Sequence, residues 1–348
     1  MTNLTVEKIF PTNAIAIRKV KKLLEEQGIR QDKNLDYICG IYDQNRNLIA
    51  TGSTYQNTLR CLAVSNKRQG EGLMNTIVSH LIHFLHNKGF DHLFLYTKHC
   101  ATHSFDQLSF DEIVNIDGYL SFMENKKNGF TDYLQTLKQA PVEDAKNAAI
   151  VMNANPFSSG HQHLIEQAAA ENDYVHLFLL EEDASAFPYS VRKQLVEEGT
   201  KHLDNVIIQP TSFYIISQAT FPSYFQKDEK NVIDSHALLD ATLFTKIANH
   251  LDISTRYVGE EPYSEMTQQY NHMMEQAFAD TEIELIVIPR QEANGNIISG
   301  SKIRYALTQD DWSLIESFVP MTTLEFLKSD EAKHIIDQLK QSEDVIHH

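Results

Sequence analysis

Residues 147–169, N-A-A-I-V-M-N-A-N-P-F-S-S-G-H-Q-H-L-I-E-Q-A-A, constrain the fold of this chain more than any other stretch. Ala148 to Met152 is a short apolar run of the kind a buried parallel strand needs. Asn153 to Ser159 holds two Asn, one Pro and two Ser, which is turn chemistry. From Gly160 onward Leu164, Ile165, Ala168 and Ala169 recur at helical spacing. Ser158 or Ser159 can cap that helix through a side-chain oxygen. The first turn of a helix has unpaired N–H groups and a positive dipole end, so a strand that runs straight into one builds an anion site. Gly160 lets a phosphate approach the backbone, and His161 sets a donor beside it.

S-S-G-H resembles the (H/T)-x-G-H signature of the nucleotidyltransferase superfamily, in its N-P-F-x-x-G-H form. Ser158 stands where that superfamily has His or Thr, and its hydroxyl can still donate to a phosphate. The resemblance implies that Asn155, Phe157, Gly160 and His161 belong to an ATP site, with His161 stabilising charge at the α-phosphorus. Ile298-Ser299-Gly300-Ser301-Lys302-Ile303-Arg304 resembles the superfamily's I-S-S-T-x-I-R motif. Ser299 and Ser301 flank a loop-to-helix entry and offer hydroxyls and N–H groups to a triphosphate. Arg304 lies three residues past Ser301, on the same helical side, placed to clamp phosphate with two donors. Lys302 is a further candidate but faces elsewhere. Ser190-Val191-Arg192, after Phe187-Pro188, resembles an F-S-x-x-x-R region near the second substrate, with imperfect spacing. Around these motifs, predicted strands at 175–180, 206–209, 256–258 and 284–288 alternate with helices at 190–196, 237–250 and 264–279. That order implies a Rossmann-like parallel sheet covered on both faces. Gly259–Ser264 with Thr267, Tyr270 and Asn271 is a further distinctive stretch, either near the pocket or capping the following helix. The tail, 329–348, reads as a surface helix with a frayed end.

The first third has different organisation. Predicted strands at 4–10, 35–42, 48–55, 58–64, 92–97 and 112–116 are joined by helices at 13–27, from 73 to about 87, and 101–108; a further helix covers about 131–139. Lys67-Arg68-Gln69-Gly70-Glu71-Gly72, between a strand and a helix, resembles the (R/Q)-x-x-G-x-G/A loop of GNAT acetyltransferases. Ala101, Phe105, Leu108 and Phe110 resemble that family's later A-x-x-F stretch, with Ser109 where Gly is usual. The resemblance implies that Arg68, Gln69, Gly70 and Gly72 cradle the pyrophosphate of a coenzyme-A-like arm with backbone N–H groups. Pro141–Lys146 reads as the boundary, giving two α/β domains: a GNAT-like mixed domain at 1–143 and a nucleotidyltransferase domain at 144–348.

The formal net charge of −17 over 348 residues argues against nucleic acid or an anionic membrane surface as partner. No run approaches 18 apolar residues, and the first residues lack a signal peptide's pattern, so a cytoplasmic location is expected. Cys39, Cys61 and Cys100 are dispersed and odd in number, and neither a disulfide framework nor a protein metal site follows.

A GNAT-like domain joined to N-A-N-P-F-S-S-G-H, G-E-E-P-Y-S-x-x-T-x-x-Y-N and I-S-G-S-K-I-R resembles the citrate lyase ligase family across nearly the whole chain. What that resemblance implies is acetylation of the thiol on the acyl carrier (gamma) subunit of citrate lyase. Acetate and ATP, with Mg²⁺, would give acetyl-AMP and pyrophosphate, and then AMP. Two other readings stay open on the residues alone. One is an adenylyltransferase making a coenzyme or dinucleotide, fused to an independent N-acetyltransferase. The other is a binding or sensory module with a vestigial site.

Overall fold

The computed structural model describes residues 4–32, 34–116, 120–181, 185–215, 221, 229–260 and 265–341, with Cys100, 229–233 and 265–267 described by backbone alone. The chain forms two compact units: Met1–Asp132 with Thr220–Thr242, and Tyr133–Ala219 with Leu243–His348. The first division thus falls at 132/133, ahead of the Pro141 boundary, and the chain returns to the first unit later.

In the first unit, β1 (Val6–Lys8), β2 (Tyr37–Tyr42), β3 (Leu48–Tyr55) and β4 (Thr58–Val64) pair antiparallel in sequence. Helix α1 (Ala14–Glu26) follows β1, starting on Asn13, whose side chain accepts from the Ala16 N–H at 3.1 Å. Its buried face is Ala16, Val20, Leu23 and Leu24, at helical spacing. Helix α2 (Leu73–His86) leads to β5 (Phe94–Thr97), α3 (Thr102–Asp106), β6 (Asp111–Ile116), β7 (Leu120–Glu124) and α4 (Gly129–Thr136). The sheet runs β1-β2-β3-β4-β5-β7-β6. Only β4 and β5 pair in parallel, and only through Thr58 beside Phe94 and Leu59 beside Leu95. Beyond those pairs the two strands are not registered, and a groove lies between their C-terminal ends. This is the mixed α/β arrangement of a GNAT-like domain. Ser109, where that family has Gly, takes φ +64°, the left-handed conformation that favours glycine. Strand β7 is absent from the sequence reading: all five of its residues are buried, so it has no alternation to detect.

The second unit is built on five parallel strands in the order β10-β9-β8-β11-β12: β8 (Asn147–Met152), β9 (Tyr174–Leu179), β10 (Val206–Gln209), β11 (Ile253–Gly259) and β12 (Glu284–Ile288). Helices α5 (Ser159–Glu171), α6 (Tyr189–Gly199), α7 (Glu229–His250) and α8 (Glu265–Phe278) connect them. From β8 the chain winds outward to β9 and β10, then returns to the other side of β8 with β11. The switch point therefore lies between β8 and β11, where such sheets bind ligands beyond their carboxyl ends. A hairpin, β13 (Glu292–Ala293) and β14 (Asn296–Ile297), precedes α9 (Gly300–Thr308), α10 (Trp312–Phe318), α11 (Met321–Leu327) and α12 (Asp330–Gln341). The hairpin, α10 and α11 were not anticipated. Helix α12 is the amphipathic surface helix expected of the tail, and its apolar face, Ala332, Ile335 and Leu339, joins the core with Ile303 and Phe318. Among the described residues no helix is long and apolar enough to cross a membrane.

Inside this unit His176 on β9 is fully buried, with its Nδ1 accepting from Gln209 Nε2 at 2.7 Å. Burial pushes the ring down to about 4, so it is neutral near pH 7.

Phe157, expected at the ATP site, is instead a core residue with 0% exposure. It seats against Gly199 at the end of α6, where an added Cβ would come within 2.4 Å of its ring. Gly199→Ala should therefore lower unfolding free energy by about 1–2 kcal/mol through overpacking. A lower denaturant midpoint at unchanged slope is the expected reading; wild-type stability would show that Phe157 is not held against α6.

Candidate active site

A pocket of about 260 Å³ lies at the switch point of the parallel sheet. Its walls come from the ends of β8 (Val151–Asn153), β11 (Gly259) and β12 (Ile288–Gln291), and from the starts of α5 and α9. Two helix N-termini thus face one cavity. Helix α5 spans 13 residues and α9 spans 9, enough for each to carry the partial positive charge of its end. Ser158, Gly160 and His161 line the pocket from α5, and Ser299 and Gly300 from α9.

Ser158 caps α5, and its relation to His161 is reciprocal. The Ser158 Oγ accepts from the His161 N–H at 3.3 Å. The Ser158 N–H donates to His161 Nδ1 at 3.1 Å, and the hydroxyl lies 2.8 Å from the same nitrogen. A backbone N–H can only donate, so Nδ1 is an acceptor and the ring proton sits on Nε2. The imidazole packs on the Phe157 ring, 6.1 Å between centroids and nearly parallel. Burial, with a smaller contribution from the Arg290 charge, pushes His161 down to about 4. At neutral pH it is an uncharged imidazole with a defined N–H donor. The Ser158 hydroxyl, expected to meet phosphate, is occupied in orienting that ring.

The two arginines singled out in the sequence serve a different purpose. Arg192 is fully buried and donates from Nε to the Phe187 carbonyl at 2.9 Å, and from Nη1 to the Asn153 and Leu180 carbonyls at 2.8 Å each. Arg304, 6% exposed, donates from Nη1 to the Asn155 carbonyl at 2.6 Å. Neither lines the pocket. Both, expected at phosphate or substrate, here donate to carbonyl oxygens of the Asn153–Ser158 turn and its neighbours and so act as struts. Asn155 is likewise inward, its Oδ1 accepting from the Phe187 N–H at 3.0 Å. Ser301 is half-buried with its Oγ 3.2 Å from Ser299 Oγ, and the Lys302 side chain is exposed. Glu261–Ser264 lie outside the described residues. Sequence reasoning did not single out Arg290 or His163; both line the pocket. The signal for Arg290 was its place directly after the apolar β12 run, at a carboxyl end of the sheet.

The groove in the first unit is larger, about 730 Å³. Arg68, Gln69, Gly70 and Gly72 line it, as do Leu62–Val64 of β4 and Tyr96–Lys98 at the end of β5. Gly70 and Gly72 have φ +81° and +73°, and a Cβ on either would point into open space. Gly72 is the N-cap of α2 and supplies no side-chain cap, so the N–H groups of that first turn face the groove uncapped. Arg68 is paired with Glu71 at 2.6 Å, which offsets the basic character expected beside the loop. Burial pushes the Tyr96 hydroxyl, also in the lining, well above the usual phenol range. No carboxylate, histidine or cysteine of the described residues lines this groove.

Residues 147–327 match the family described as the citrate lyase ligase C-terminal domain. A citrate (pro-3S)-lyase ligase of Klebsiella pneumoniae is 38% identical over 292 residues, covering 82% of this chain and 85% of that protein. One from Escherichia coli strain K12 is 35% identical over 317 residues, covering 89% and 90%. Among solved structures, the ribosomal-protein-S18-alanine N-acetyltransferase of Escherichia coli covers 34% of this chain and 91% of its own, at 20% identity and TM-score 0.28. With relatives more than a third identical along most of both chains, the protein belongs to the citrate lyase ligase family.

Proposed function

We propose that the chain is an ATP-dependent ligase that activates acetate as acetyl-AMP and passes the acetyl group to the thiol arm of the citrate lyase acyl carrier subunit. The observation that carries this reading is the pocket where two helix starts meet around a neutral His161 whose proton is held on Nε2. Such an arrangement suits stabilising charge on a phosphoryl group, where fixed donors matter more than a base. The family's relatives, named for ligation to citrate lyase, support the acceptor.

In the first step an acetate oxygen attacks the α-phosphorus of ATP. The bond to the bridging oxygen breaks, and pyrophosphate leaves with the electron pair. His161 Nε2–H would donate to the oxygens of the transferred group, and the N–H groups opening α5 and α9 would hold the phosphates beside it. In the second step the thiol sulfur attacks the acetyl carbon, AMP departs, and the thiol proton is lost to solvent. The pocket lining holds no carboxylate among the described residues, so Mg²⁺ would be held by the nucleotide's own phosphates. The groove between β4 and β5 would dock the arm, with the open N-terminus of α2 taking its phosphates. That groove's lack of an evident base fits docking better than an independent acetyl transfer.

His161→Ala should lower acetate-dependent exchange of labelled pyrophosphate into ATP by about a hundred- to a thousand-fold. His163→Ala should cost far less, since that ring is not held by the Ser158 cap; equal losses would remove His161 from its assigned role. Exchange that ignores acetate in the intact protein would sink the ligase reading itself.

Gly72→Asp tests the dock. Asp tolerates a positive φ and caps α2 with its own carboxylate, placing a negative charge where the arm's phosphates would sit. The apparent KM for the carrier should rise about ten-fold, with pyrophosphate exchange and thermal stability unchanged. An unaltered KM would place the arm elsewhere.

A further inference from the structure

Arg290 follows directly on β12 and has no part in the sequence motifs. Its Nε donates to the Glu260 carbonyl, just past β11, at 2.8 Å, and its Nη1 donates to the Ile298 carbonyl, just before α9, at 3.2 Å. These two tethers fix the guanidinium across the carboxyl end of the sheet. The two carbonyls orient the guanidinium. Arg290 is half-buried and lines the same pocket as Ser158, Gly160, His161, Ser299 and Gly300. Among the described residues it is the one permanently charged side chain in that lining. Its field reaches His161, whose ring it holds further from protonation.

The pocket's remaining electropositive character comes from two helix ends, each worth about half a charge. A nucleoside triphosphate surrendering pyrophosphate needs more than that, since negative charge grows on the departing group. Arg192 and Arg304 do not line the cavity, and they donate to the Asn153 and Asn155 carbonyls. We propose that Arg290 is a catalytic residue of this pocket, its guanidinium taking the charge that develops on the departing pyrophosphate while His161 serves the transferred phosphoryl group. The proposal rests on the adenylate-forming function argued above. The guanidinium can meet phosphate oxygens with parallel donors, which an ammonium cannot.

The test uses the full chain and two variants. Arg290→Gln should weaken pyrophosphate binding, read by calorimetry, by about ten-fold or more, the loss expected for a charged hydrogen bond. It should slow acetate-dependent exchange at saturating ATP by about a hundred-fold. Arg290→Lys, which keeps the charge and safeguards the fold, should recover part of the binding and little of the rate. Titration of the ring nitrogens by NMR supplies a readout that a mere strut would not move. Arg290 is the charged group acting on His161; among the described residues His163 is the other titratable group in the lining, and α9 contributes Ser299 and Gly300. In Arg290→Gln the His161 pKa should rise from about 4 toward the ordinary imidazole value. His176, held near 4 by burial alone, should stay where it is. The acid limb of activity should move upward with His161, because the neutral ring is the active form. Unchanged pyrophosphate binding with an unmoved His161 would overturn the proposal. Should the wild-type protein fail to exchange pyrophosphate with acetate, the ligase reading falls, while pyrophosphate binding and the histidine titration still decide Arg290.

Discussion

The hydrogen bond from Arg304 Nη1 to the Asn155 carbonyl joins segments 149 residues apart, and the pocket depends on it. The contact is close because Gly300 opens α9 without a side chain: a Cβ there would lie 2.9 Å from the Asn155 oxygen and 3.3 Å from Arg304 Nη1. Arg192 holds the other flank of the same turn through the Asn153, Leu180 and Phe187 carbonyls. A turn between strand and helix carries backbone groups that need partners when buried. Here two buried guanidinium groups supply them, and their own charges are solvated by carbonyl dipoles in place of water. Removing either cation would leave buried carbonyls unmatched, a cost of about 1–3 kcal/mol for each orphaned group. The rigidity of the Asn153–Ser158 turn, and hence the position of α5, follows from this arrangement.

A rigid turn makes the His161 chemistry possible. The tautomer is set by a backbone N–H whose direction the turn decides, and the ring plane is set by Phe157, which is itself held by Gly199. Burial keeps the ring uncharged, so its Nε2–H is present as a donor throughout the neutral range. A cationic imidazole would bind phosphate more strongly in the ground state, but as a fixed charge beside Arg290 it would be costly to keep. In the proposed reaction the neutral donor would give directional stabilisation at the transferred group, leaving net charge to Arg290 and the helix ends.

The architecture was legible where local periodicity and fold agreed. Strand β8, the turn and α5 lie where Ala148–Met152, the Asn-Pro-Phe-Ser-Ser run and Leu164–Ala169 point. The parallel sheet follows from alternation of apolar runs with helical patterns. Strand β7 was not legible, because Leu120–Glu124 is buried on every side and alternates nothing. Helix α12 was legible as an amphipathic surface helix, but its pattern does not say what its apolar face meets. At the site, the motif spacing points to the segments that meet in the pocket, and leaves open which atoms face it. Arg192 and Arg304 carry donors that serve a carbonyl as well as a phosphate, and only tertiary placement tells which. Arg290 lacks a motif and gains its position from the sheet alone.

The two cavities differ in a way that bears on how the chemistry is divided. The pocket at the switch point is small, with a defined imidazole donor and a tethered cation, features that favour a charged transition state. The groove of the first unit is nearly three times larger and exposes backbone N–H groups at Gly70 and Gly72, but lines itself with aliphatic, aromatic, amide and hydroxyl side chains and the cations Arg68 and Lys98. Tyr96, its most acidic candidate, has its hydroxyl proton held by burial far above neutral pH. Surroundings of that kind bind a long, partly apolar arm with a phosphate-bearing end, and they offer little to a leaving group. An activated acyl adenylate needs no strong base to react with a thiol, because AMP is a good leaving group. On the proposed ligase reading, activation in the second unit would relieve the first of any catalytic requirement, and a GNAT-like fold without an evident base would suffice as a dock.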